Sequence, residues 1–158
     1  MKKNKGFTIP EVLVAMFVIS MGLVGVSSLM IQNYQSQYTN KNTLIASQLA
    51  QEGLELVRWR RDTNWSGPNW KSGIGNGNYI IDYSSNIASV DSIADARLYI
   101  NNNGFYSHDV TSTQSIFFRL ITISDETEDS IKVSCKVEWE NRGKKQSYMA
   151  DTILYDWK

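Results

Sequence analysis

The residues in this chain that could do chemistry are few and far apart. Glu11 stands at the start of an apolar run, residues 12–31, twenty positions without a charge. A carboxylate deep in lipid costs about 2.5 to 3.5 kcal/mol, and less near the interface. Glu11 therefore either lies close enough to a membrane face to stay wet or is kept there for a purpose. His108, the only histidine, has Asp109 beside it in GFYSHDV. With a serine these are the residue types of an acyl-transfer triad, which needs base, orienter and nucleophile to converge. His108 falls in a polar loop between expected strands and no nucleophile-elbow sequence occurs, so no catalytic residue is assigned and the chain is not read as an enzyme. Asp125, Glu126, Glu128 and Asp129 crowd the stretch DETEDS. Oxygen-rich loops of this kind can hold calcium, but the spacing fits no EF-hand loop, and a solvated hairpin turn accounts for it. Arg58, Arg60 and Arg61, with Trp59 and Trp65, make a basic and aromatic cluster that could hold a nucleic-acid backbone. A helix C-terminus accounts for it better, because cations are favoured there and Trp59 would pack inward. One cysteine (Cys135) and one histidine argue against a Cys/His metal site, and Cys135 has no partner for an intrachain disulfide. Neither cofactor nor metal is assigned.

The elements that would position these residues follow from hydrophobic patterning. The 158 residues suffice for one domain, or a small domain with an extension, and the net charge of +0 calls for no nucleic-acid partner. A helix over residues 12–31 would be roughly 30 Å long, the hydrocarbon thickness of a bilayer. Lys2, Lys3 and Lys5 precede it and the next charge is Lys41, so the lysines should stay cytoplasmic and the bulk of the chain be exported. A cleaved secretory signal fits poorly, since the apolar run is too long and lacks a good small-residue cleavage site. An unprocessed anchor fits the length but leaves Glu11 unexplained. Gly22 and Gly25, inside the run, suit either a lipid-embedded helix or close helix–helix approach and local melting.

The string Gly6-Phe7-Thr8-Ile9-Pro10-Glu11-Val12-Leu13-Val14-Ala15-Met16 resembles the N-terminal signature of type IV prepilins and their pseudopilin relatives. The resemblance implies that a membrane peptidase cuts between Gly6 and Phe7, that Phe7 is then N-methylated, and that Glu11 is the assembly glutamate. Pro10 departs from the usual aliphatic residue, but proline is tolerated in the first turn of a helix. The resemblance also gives Glu11 a physical role. Cleavage turns the Phe7 amide into a protonatable amine, which Glu11 of a neighbouring subunit can meet in a staggered filament. At about 4 Å and an effective dielectric near 20 the attraction is of order 4 kcal/mol before desolvation is counted. Loss of the three leader lysines takes the side-chain balance from 16 basic and 16 acidic residues to 13 and 16 and frees the subunit to leave the cytoplasmic face.

Beyond residue 31 the helical period persists. Tyr38, Ile45, Leu49 and Leu56 line one face at intervals of seven, four and seven, so a single helix is expected from about Phe7 to Arg61, with Gly53 as a place for a bend. Turn-forming residues then end it. Ile131, Val133, Cys135, Val137 and Trp139 alternate with polar residues, which predicts a strand with one dry face and a buried, structural Cys135. A turn at Asn141-Arg142-Gly143-Lys144 leads to a partner strand from Gln146 to about Trp157. SIFFRLITIS, residues 115–124, supplies a third strand, and NYIIDYS near Asn78 or ARLYINN near Ala96 a fourth. The expected architecture is α+β: a long N-terminal helix, transmembrane then amphipathic, packed on a C-terminal antiparallel sheet. The resemblance implies the same pilin-like fold. The domains read as a leader (1–6), a membrane and assembly helix (7–31), its amphipathic continuation (32–61) and an exported β-rich head (62–158).

The function expected is that of a structural subunit of a type IV pilus-like filament. It would be a single-pass inner-membrane protein with its head outside the cytoplasm before assembly, and part of a surface pilus afterwards. The implied partners are copies of itself or other pilins, the prepilin peptidase and methyltransferase, the membrane and an inner-membrane assembly platform. A pseudopilin of a type II secretion system fits the same segment. A bitopic membrane protein with an exported ligand-binding head, never polymerising, is the reading from another class.

Overall fold

The computed structural model describes residues 6–65, 67, 69–84 and 87–156. Lys2, Lys3 and Lys5, to which the sequence assigned orientation, and Trp157, the expected strand end, lie outside these. The helix α1 runs Ile9–Asn64. Thr8 begins it: its carbonyl accepts from the N–H groups of Glu11 (3.1 Å) and Val12 (3.2 Å). Pro10 sits in this first turn, where its missing N–H costs no intrahelical bond. Arg61 lies in the last turn, where a cation suits the carbonyl end of the dipole. The chain forms two compact units, Met1–Lys41 and Asn42–Lys158.

In the first unit the apolar side chains of α1 are solvent-facing throughout, from Val12 at 46% exposed to Ile9 at 80%. Its helix is long and apolar enough to cross a membrane, with a mean hydropathy of 2.3 in the best window. In the second unit the remainder of α1 covers a seven-stranded antiparallel sheet. The strands are β1 (Gly77–Ile81), β2 (Ile87–Ser89), β3 (Arg97–Ile100), β4 (Tyr106–Ser107), β5 (Thr113–Thr127), β6 (Ser130–Asn141) and β7 (Lys144–Tyr155). β5 is the spine: β6 pairs along one side of it, and β1 and β3 share the other. β2 borders β1 and β4 borders β3, while β7 borders β6. Both segments offered as a fourth strand are strands, β1 and β3. The predicted turn is a two-residue one with Arg142 at φ 53° and Gly143 at φ 73°, the mirror-image conformation that suits the twist of a hairpin.

The alternation read from β6 holds. Ile131, Val133, Cys135, Val137 and Trp139 are buried with Phe117, Ile121 and Ile123 of β5 under α1. The helical stripe holds at Ile45, Leu49 and Leu56 and is corrected at Tyr38. Tyr38 is exposed, and the line of closest approach is Ala46, Ala50, Gly53 and Val57, flanked by Leu49 and half-buried Ile45 and Leu56. Small residues occupy the centre because the helix lies close against the sheet. A Cβ at position 53 would meet Cys135 Sγ at 2.6 Å, so Gly53 is a contact point, and α1 continues through it without interruption. Trp59 is corrected too. It is half exposed, and Arg61, four residues on from Val57, takes the inward position.

Candidate functional site

The segment singled out by the sequence is the start of α1. Gly6, Phe7 and Thr8 precede the helix in irregular, exposed backbone. Phe7 is 83% exposed, and nothing lies within 4 Å of a Cβ built on Gly6. Among the described residues, nothing covers the Gly6–Phe7 bond. Glu11 occupies the third helical position, and its carboxylate turns back to the Thr8 N–H in a long 3.5 Å contact. This is half of a capping box, whose signature Thr-x-x-Glu was legible in the sequence but was overlooked beside the larger question of lipid. No described residue forms an ion pair with Glu11. The carboxylate is thus exposed, and among the described residues its contact is this weak one within its own chain.

The remaining sequence candidates do not converge. Arg58 pairs with Glu55, Arg61 with Asp62 at 2.7 Å while lying over the Trp65 ring, and Arg60 tucks against the loop at Gly73. These cations serve the helix end and its loop, and they form no open basic surface. Asp125 accepts from Lys71 Nζ (3.0 Å) and from the Asn76 amide (2.8 Å), and Lys71 holds its carboxyl below the usual range. The pair ties the segment after α1 to the end of β5. Among the described residues no group of three or more His, Cys, Asp or Glu side chains is placed to share a metal ion. Asp109 is occupied by the Thr111 N–H and hydroxyl, so it does not orient His108, and no triad geometry exists there.

Sequence reasoning missed the buried charge at the centre of the head. Arg119 belongs to the apolar-looking strand SIFFRLITIS and is fully buried. Its guanidinium donates to the carbonyls of Leu49 (3.3 Å) and Ile81 (2.7 Å) and pairs with Glu52 at 3.3 Å. It thereby links α1, β5 and β1 in one network, and buried arginine survives only with such partners. The signal was present: Arg119 is on the same strand parity as Phe117 and Ile121, the dry face. Half-buried His108 sits near it, its Nδ1 3.1 Å from the Arg97 carbonyl and its Nε2 without a partner. Burial first, and the Arg119 charge second, push the imidazole down to about 4. Burial also raises the Cys135 thiol to about 12, so it is inert in the core.

No curated protein and no solved structure matches this chain. One family model does, over residues 1–27, and its match spans the Gly6–Phe7 junction, Glu11 and most of the apolar run. This chain carries the prokaryotic N-terminal methylation motif, the type IV prepilin-like signature, ahead of an α+β head.

Proposed function

We propose that the protein is a structural subunit of a type IV pilus-like filament, made as a membrane-stored prepilin. The leader (1–6) is removed after Gly6, Phe7 is N-methylated, and subunits polymerise through residues 7–31. Residues 32–61 carry that helix into the exported head (62–158). The observation that carries this reading is the match to the methylation motif over residues 1–27. The exposed backbone at Gly6 and Phe7 and the run of solvent-facing apolar side chains that follows support it. Such a surface is tolerable only in lipid or against other apolar helices.

Glu11 supplies the register. The free amine created at Phe7 is the one cation that processing adds, and a neighbour's Glu11 is the carboxylate it can reach when helices stagger. Its weak contact to Thr8 is readily given up for a charge-assisted partner. Two measurements test the proposal. N-terminal sequencing and intact mass should give a chain beginning at N-methyl-Phe7 only when a prepilin peptidase is co-expressed; retention of Gly6 under both conditions would leave residues 7–31 a plain anchor. Glu11→Val should be processed normally yet be depleted from sheared fibres at least about tenfold, and wild-type incorporation would remove the assembly role from Glu11.

A further inference from the structure

The two sides of the sheet end differently. On one side the borders are β2 and β4, of three and two residues. On the other, β7 is twelve residues long, is in unbroken register with β6 over its whole length and pairs with no other described strand. Natural edges are blunted by shortness, bulges, proline or lysine. β7 has lysines only at its start, Lys144 and Lys145, and no bulge or proline after them.

The tight turn makes Asn141 and Lys144 a hydrogen-bonded pair, so even-numbered residues of β7 bond to β6. The Asp156 N–H, donating to the Asp129 carbonyl at 2.8 Å, keeps this parity at the far end. The N–H and C=O groups of Lys145, Ser147, Met149, Asp151, Ile153 and Tyr155 therefore point away from the sheet. Met149, Ile153 and Tyr155 also expose 61%, 42% and 55% of their surface.

We infer that the β7 edge is a docking strand for the β7 edge of a second copy of this chain, paired antiparallel about Ala150. Charge selects the occupant and the register. Self-pairing about Ala150 sets Lys144 of each chain opposite Asp156 of the other, Ser147 opposite Ile153, and Met149 opposite Asp151. Self-pairing about Asp151 would oppose like charges, and self-pairing about Met149 would give neither lysine a carboxylate opposite, whereas the Ala150 register sets Lys145 opposite Tyr155 and still gives Lys144 one. The pairing joins the two sheets into one and satisfies both rows of outward backbone groups. The inference needs only the head and is independent of the filament reading. Within that reading, a twofold contact cannot recur along a filament whose subunits all point one way, so it joins chains outside a single filament.

Disulfide trapping on the full-length chain in detergent tests it. Chains carrying Ser147→Cys are mixed with differently tagged chains carrying Ile153→Cys and oxidised; a heterodisulfide is expected, with buried Cys135 not competing. Adding Met149→Pro removes one outward N–H and no bond to β6, so trapping should fall about tenfold while thermal unfolding is unchanged. Lys144→Asp should lower trapping as well, and adding Asp156→Lys in the same chain should restore it, which keeps the test open if the proline variant does not fold. No heterodisulfide, or trapping indifferent to both the proline and the charge swap, would overturn the inference and assign any association to the apolar helix.

Discussion

The two ends of α1 put their apolar side chains to opposite uses. Before Lys41 every large apolar residue on the helix faces outward, on all sides, at 46–80% exposed. After it, burial follows one line, Ala46, Ala50, Gly53, Val57 and Arg61, and the opposite face is polar or open. Within the first stretch, residues 12–31 have almost no polar group to show to water, and such a surface is tolerable only in lipid or against other apolar helices. The second is complete within its own chain, since the sheet supplies the apolar partner. One continuous helix thus joins an exposed apolar surface to one that builds a core, and the change comes from side-chain pattern while the backbone stays helical.

Substitutions that remove the same group from each stretch test the contrast. Leu49→Ala should lower the unfolding free energy of the head by about 3 kcal/mol, read by chemical denaturation in detergent. Leu23→Ala should move it by less than about 0.5 kcal/mol; a comparable loss at both positions would break the comparison. The next largest effect is acid loss of head stability. The His108 imidazole is held near 4 in the folded chain against 6.5 when exposed, so the unfolded state takes up the proton first. Stability should be full above about pH 6.5 and fall as pH drops toward 4, by up to about 3 kcal/mol. Arg119 and Asp82 are the charges facing His108. His108→Gln should flatten that pH window, which a denaturation series between pH 4 and 7 would show.

Gly53 sharpens the comparison within the helix. Gly53→Ala adds about 1 kcal/mol of helix propensity but drives a methyl to 2.6 Å from Cys135 Sγ. Overpacking of 1–3 kcal/mol should win, giving a net loss of about 1 kcal/mol. In a Cys135→Ala background the same substitution should lose its penalty, a coupling that a double-mutant cycle measures directly. The smallest expected effect belongs to Gly22→Ala and Gly25→Ala, where nothing lies within 4 Å of an added Cβ. Head stability should be unchanged, so any loss of fibre yield would report helix–helix contact between subunits.

Much of this could be read without coordinates. The apolar run, the Gly6-Phe7 junction, Glu11, and the strict alternation of β6 are one-dimensional patterns. Each is a property of neighbours along the chain, and local geometry, with periods of 3.6 and 2, converts it directly into a helix or a strand. The Arg142-Gly143 turn belongs with them, because two positive φ angles are a local demand. What failed was reasoning about which residue faces which across the fold. Ile45, Leu49 and Leu56 do pack at the helix–sheet contact, but Tyr38 does not, and Ala46, Ala50 and Gly53 hold its centre, because closeness of approach is a property of two elements together. Trp59 was expected inside and Arg61 is there. Arg119 passed unnoticed within a hydrophobic strand, and it is the link between three elements, since the carbonyls of Leu49 and Ile81 that satisfy it lie 70 and 38 residues away along the chain. The sequence alone determined the processing signature, the apolar helix and the strands β1, β3, β5, β6 and β7, because short-range sterics and periodicity decide them. Only the tertiary structure decided the contact line at Gly53, the burial of Arg119 and His108 and the open edge of β7, because each depends on what long-range packing brings alongside or leaves uncovered.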